Sequence, residues 1–134
     1  MVAKELDILR KCKAALESAG YPAIKLRPLE AGEEGVSIRL LPAITQRTYM
    51  DGTEDVEQQI DVFARMQDEG AAITLSSDAA SKISASGSLS GTSYVVTDAR
   101  VSAGATEAEQ PENGLHGYSA TVTICYTYTP SDFS

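Results

Sequence analysis

His116 is the only histidine in the chain, set between Gly114 and Gly117. Imidazole can act as a general base, a proton shuttle or a metal ligand near neutral pH. Each task needs a partner at fixed spacing, such as a nucleophile, an orienting carboxylate or further ligands. No H-E-x-x-H pattern supplies one, so this histidine is read as solvated. The paired carboxylates Glu33/Glu34, Glu54/Asp55 and Glu107/Glu109 could share acid and base roles only where burial shifts a pKa. All three pairs fall in predicted turns or loops, where water keeps both groups ionised. The run Asp51–Asp55 is acidic enough to attract a cation, but a calcium loop spreads its ligands over about 12 residues. It is read as a hairpin turn. Serine and threonine are plentiful without a G-x-S-x-G elbow, and the glycines of residues 32–35 and 87–91 fit neither G-x-G-x-x-G nor the P-loop. Cys12 and Cys125 have no C-x-x-C neighbour and are read as buried or half-buried thiols. No catalytic, cofactor-binding or metal-binding residue is assigned.

Charge narrows the function classes further. The net charge is −8 over 134 residues, but it is unevenly spread. Residues 1–47 carry +2, while residues 48–134 carry −10, with only Arg65, Lys82 and Arg100 as cations. Sequence-specific nucleic-acid binding needs clustered Lys and Arg, so it is not expected. An acidic body keeps a protein soluble, and it also lets DNA pass without sticking. No apolar run approaches the ~20 residues that span a bilayer, so no membrane partner is expected. The N-terminus lacks the apolar middle of a signal peptide, and a cytoplasmic site of synthesis is expected.

The elements that position these residues follow from periodicity. Residues 3–19 predict an amphipathic helix, with Val2, Leu6, Leu9 and Leu16 as its stripe and Ile8, Cys12 and Ala15 beside it. Gly20 and Pro22 end it. Ala23–Leu29 and Val36–Pro42 alternate and predict a hairpin of two half-buried strands. Ile44–Met50 is β-prone, Asp51-Gly52 is a hairpin signal, and Asp55–Met66 is a long strand. At ~3.3 Å per residue that strand reaches about 40 Å, roughly twice the usual length. Its outer part, Glu57 to Gln59, is polar on both faces, which predicts a ribbon with a wet tip projecting from the body.

Asp68 is a candidate N-cap for a second helix striped by Ile73, Ala80 and Ile83. Tyr94–Val101 predicts a strand, and Ser102–Gly117 a long acidic loop. Tyr118–Thr129 predicts a strand whose even-numbered residues face inward. The fold class is therefore α+β in one domain, 1–134. It has a mixed or mostly antiparallel sheet with two helices on one face, in the order α-β-β-β-β-α-β-β, and a long projecting β-hairpin.

The segment "SIRLLPAITQRTYMDGTEDVEQQIDVFARMQDEGAA" resembles the central part of minor capsid and tail terminator proteins of long-tailed bacteriophages and prophages. The resemblance rests on Leu40-Leu41-Pro42, then Tyr49, Asp51 and Gly52, then Gln59 through Phe63 running toward a helix. It covers residues 1–84 as an order of elements and thins over 85–134. It implies a structural protein of the head–tail junction with no catalysis and no cofactor. Such proteins form a ring, usually of six copies, that caps the tail tube and offers the head a joining surface. The implied partners are other copies of the chain, a tail tube protein and a head-completion or connector protein. The implied location is the virion, assembled in the bacterial host cytoplasm.

On this reading Tyr49, Asp51, Gly52, Glu54, Glu57 and Gln59 form a subunit-interface hairpin. Glu107, Glu109 and Glu112 become a candidate lumen loop past which DNA moves. Two alternatives stay open: another neck or minor capsid protein, and a small ligand-binding domain built on the Tyr-rich last strand.

Overall fold

A computed structural model describes residues 4–21, 24–27, 29–30, 32–86, 89–91, 94–112 and 114–129, with the backbone alone for 109–112. Val2, Ala3, Pro22, Ala23, Pro28, Gly87, Ser88 and Asn113, which entered the predictions above, lie outside the described residues.

Helix α1 (Lys4–Ser18) buries Ile8, Leu9, Cys12 and Leu16. The buried stripe is thus turned from the predicted one, and Leu6 faces solvent. Gly20 takes φ +98°, and the Gly20 and Tyr21 amides donate back to the Glu17 and Leu16 carbonyls, closing the helix as a Schellman turn.

Strand β1 (Gly35–Thr48) joins two predicted strands into one. Pro42 does not end it. Leu41 and Pro42 sit opposite a single residue of the next strand as a bulge, and β1 is a sheet edge, where a missing N–H is tolerated. The buried Gln58 amide donates to the Leu41 carbonyl at that bulge. The stretch predicted as a strand at 23–29 forms only an isolated parallel bridge, Lys25 with Ser37. The cause is local: the Arg27 carbonyl accepts from the Ser37 hydroxyl, and Arg27 pairs with Glu33, so the chain curls back round the β1 edge.

Strand β2 (Glu54–Met66) pairs with β1 on one side and with β4 (Leu115–Tyr128) on the other. Helix α2 (Glu69–Ala85) starts at Asp68, whose carboxylate accepts from the Ala71 amide as an N-cap. It buries Ala72, Ser76, Ala79, Ala80 and Ile83, leaving Ile73 exposed, because small residues allow close approach to the sheet.

Strand β3 (Tyr94–Glu112) runs through the region predicted as a loop. Five register shifts against β4 absorb its irregular sequence, and Gly114 turns the chain at φ +77°.

The sheet is antiparallel throughout, in the order β1-β2-β4-β3. The element order is α-β-β-α-β-β, which corrects the longer predicted order within the α+β class. Val56, Ile60, Val62 and Ala64 of β2 and Ala120, Val122, Ile124 and Tyr126 of β4 join Val36, Ile38, Tyr94 and both helices in one apolar core. Each fully buried aliphatic there contributes about 1.5–3 kcal/mol. The opposite face carries Ser37, Arg39, Asp61, Phe63, Arg65 and the Ser/Thr side of β4. The hairpin predicted to project is corrected too. β2 is held by β4 from Glu54–Tyr128 down to Met66–His116, so its polar outer residues lie within the sheet.

Candidate assembly surface

The turn joining β1 to β2 is tightly organised. The Tyr49 amide donates to the Thr53 carbonyl at 2.7 Å, and the Gly52 amide to the Tyr49 carbonyl at 3.0 Å. Asp51 accepts from the Thr53 amide at 3.0 Å, and Gly52 adopts φ +89°, a conformation an L side chain resists. The Thr53 amide and hydroxyl hold the Asp51 carboxyl below its ordinary value. Two residues beyond Thr53, Asp55 accepts from the Tyr49 hydroxyl at 2.8 Å and the Thr127 hydroxyl at 2.9 Å. Those two donors, with the Arg47 charge behind them, lower its pKa as well.

This bonded turn presents apolar side chains to solvent. Met50 is fully exposed, Ile44 is 55% exposed, and Tyr49 is exposed beneath the Arg47 guanidinium, 5.9 Å from its ring centroid. On the far edge strand, Val95 is 61% and Val101 38% exposed. Five of the seven exposed large apolar side chains among the described residues therefore lie on the two edge strands or the turn.

Tyr49, Asp51, Gly52 and Glu54 sit together at the turn as the sequence places them. Glu57 and Gln59 do not. Glu57 lies between Ile44 and Cys125, and Gln59 beside Thr123, both on the outer face of an interior strand. Glu107, Glu109 and Glu112 are strand residues paired with Tyr118, Gly117 and Leu115, which corrects their assignment to a loop. They belong to the opposite end of the sheet. Glu54 pairs with Tyr128 while Glu107 pairs with Tyr118, ten residues along β4, or about 33 Å.

The Tyr-rich last strand makes core contacts. Tyr126 is 1% exposed and packs edge-on against Tyr94, ring centroids 5.5 Å apart. Lys4 lies over the Tyr128 ring at 4.3 Å, and Tyr118 donates to Glu69 at 3.2 Å. His116, half-buried, stands 3.5 Å from the same Glu69 carboxylate. Burial pushes the Cys12 thiol up to about 12, leaving it unreactive.

Sequence reasoning missed a hollow of about 290 Å³ on the outer face, lined by Leu29, Arg39, Asp61, Phe63, Arg65 and Ala108 among others. Arg39 pairs with Asp61 at 3.1 Å. Arg65 donates to the Glu30 and Glu33 carbonyls and lies over Phe63, 5.3 Å from its centroid. The available signal was the alternation Asp61-Phe63-Arg65 on the outward side of β2. Arg39 and Arg65 are thus engaged in holding the sheet and the curled segment, and among the described residues no cluster of His, Cys, Asp and Glu suited to a metal forms. Compared with known proteins, the chain matches no family model and no curated protein sequence.

Proposed function

We propose that the chain is a non-enzymatic structural subunit of a long-tailed phage or prophage particle, acting at the head–tail junction as a tail terminator. Copies assemble into a ring, six in the proteins it resembles, that caps the tail tube and presents a joining surface to a head-completion or connector protein. The observation that carries this reading is the bonded β1–β2 turn, which presents Met50 and Tyr49 to water, with Ile44 exposed on the adjoining stretch of β1. Apolar groups fixed in place at a sheet end are what a partner buries. The acidic β3–β4 end, with Glu107 and by sequence Glu109 and Glu112, repels phosphate, as a passage for DNA requires.

The test is particle mass and negative-stain imaging with purified tail tubes present and absent. Binding at one tube end with elongation halted is the expected result. A chain that ignores tube ends and leaves their growth unchanged removes the terminator role.

A further inference from the structure

The sheet has two open edges of opposite character. β1 carries Arg39 and Arg47 and no carboxylate. β3 carries Asp98, Glu107, Glu109 and Glu112 against the single Arg100. The lower part of β1 is closed by Lys25, whose amide donates to Val36 and whose carbonyl accepts from Ile38. From Ala43 to Thr48 the strand is exposed, with Ile44 on the outer face. β3 is regular from Asp98 to Val101, opposite Cys125 to Val122, and that stretch is half-buried or exposed.

We propose that the β1 edge of one copy pairs with the β3 edge of the next, so that the sheets run on from subunit to subunit. Strand direction permits it. Three antiparallel pairings in a four-stranded sheet leave β1 and β3 running in opposite senses. A copy added in the same orientation meets its neighbour antiparallel, with its helices on the same side. Side chains match as well. Ile44 and Asp98 stand at one level of the sheet, each in register with Glu57 or Cys125, themselves paired. Leu40 and Val101 share the level of Ile60 and Val122 on the helix side. A junction without stagger would bring Leu40 and Val101 together across the seam on the helix side, and would set Ile44 beside Asp98 on the outer face.

Charge selects this pairing over the symmetric ones. As whole strands, β1 carries two arginines and no carboxylate, while β3 carries four carboxylates against one arginine, so each symmetric contact joins edges of like net charge and the mixed contact joins edges of opposite net charge. The mixed contact is head-to-tail, the type that generates rings when the rotation closes. The proposal rests on the ring reading above and names its seam.

Disulfide trapping tests it. Cys125→Ser removes the half-buried thiol, while Cys12 is fully buried and stays. Ile44→Cys is combined with Asp98→Cys, or with Arg100→Cys to cover a two-residue stagger on the same face. All three positions are exposed, so the fold is expected to tolerate them. Under mild oxidation, on tubes or concentrated alone, chains with both cysteines should give a ladder that ends at a closed oligomer. Mixed single-cysteine chains should give only the heterodimer. Disulfides in Ile44→Cys chains alone, without the mixed product, overturn the proposal in favour of β1–β1 pairing. Absence of any cross-link in both settings also overturns it. If such uncross-linked chains still cap tubes, the capping role survives. Closed ladders from chains that ignore tubes support the seam and remove the capping role.

Discussion

Replacing Tyr126 by Phe should stabilise the protein. Tyr126 is 1% exposed, and its hydroxyl oxygen is buried with no hydrogen-bond partner among the described residues. A hydroxyl stripped of water and left unpaired costs about 1–3 kcal/mol. Phenylalanine keeps the ring and its edge-on contact with Tyr94, and gives up only the few dispersion contacts of one oxygen, about 0.1–0.2 kcal/mol each. The net gain is about 1 kcal/mol, a rise in Tm of roughly 3–5 °C for a domain of this length. The same substitution at Tyr94 should act in the other direction. Its hydroxyl donates to the Asp7 carboxylate at 2.6 Å, tying β3 to α1. Losing a hydrogen bond to a charged group costs about 1.5–3 kcal/mol. Urea unfolding followed by far-UV circular dichroism measures both variants against the parent chain. If Tyr126→Phe destabilises as much as Tyr94→Phe, the Tyr126 hydroxyl has a partner and the reasoning fails.

Two further outcomes follow from the carboxylates. Asp55 has its pKa depressed in the folded chain, first by the Tyr49 hydroxyl, then by Thr127 and Arg47. A depressed aspartate contributes stability that is complete above its unfolded value near 3.9 and is lost as pH falls through the lower folded value. Asp55→Asn should therefore flatten the fall in unfolding midpoint below about pH 4, and an unchanged acid limb would show that these hydrogen bonds contribute nothing. On the proposed head–tail junction role, Glu107→Lys at the other end of the sheet should slow DNA passage through assembled particles by adding a phosphate-binding charge, and unaltered ejection kinetics would remove the acidic end from the proposed DNA path.

What was legible in the sequence was what periodicity writes locally. The Asp68 cap, the Gly20 stop, the Asp51-Gly52 turn and the alternation of Asp55–Met66 and Tyr118–Thr129 each reflect a rule acting within a few residues. The misreadings share another cause. Pro42 and the Gly-, Ala- and Glu-rich stretch after Ser102 break local strand patterns, yet both lie in edge strands, where a bulge absorbs the break and the partner strand supplies the order. Pairing partners are non-local, so strand order and the β2–β4 contact that keeps Glu57 and Gln59 inside the sheet had no signature within a short window. For the same reason the residues of the predicted interface set fall in two places. Tyr49, Asp51, Gly52 and Glu54 cluster at the turn, while Glu57 and Gln59 lie further along β2, an interior strand.

Those irregular edges limit indiscriminate strand pairing by a sheet with two open edges. A long, flat, apolar edge pairs with any strand it meets. Here Lys25 closes the lower part of β1, the bulge at Leu41-Pro42 interrupts its middle, and register shifts break β3 everywhere except short runs such as Asp98 to Val101. What remains open is one short stretch of β1 carrying Arg47 and one short stretch of β3 carrying Asp98 and Arg100, on opposite sides of the sheet. Each is too short to recruit strands at random, and the two strands as wholes carry opposite net charge. The features that weaken either edge as a general template thus leave a single favourable match between them. A weak match of that kind, repeated round a ring, gains strength only when every seam closes together, which would keep free subunits apart until a template such as a tube end holds several at once.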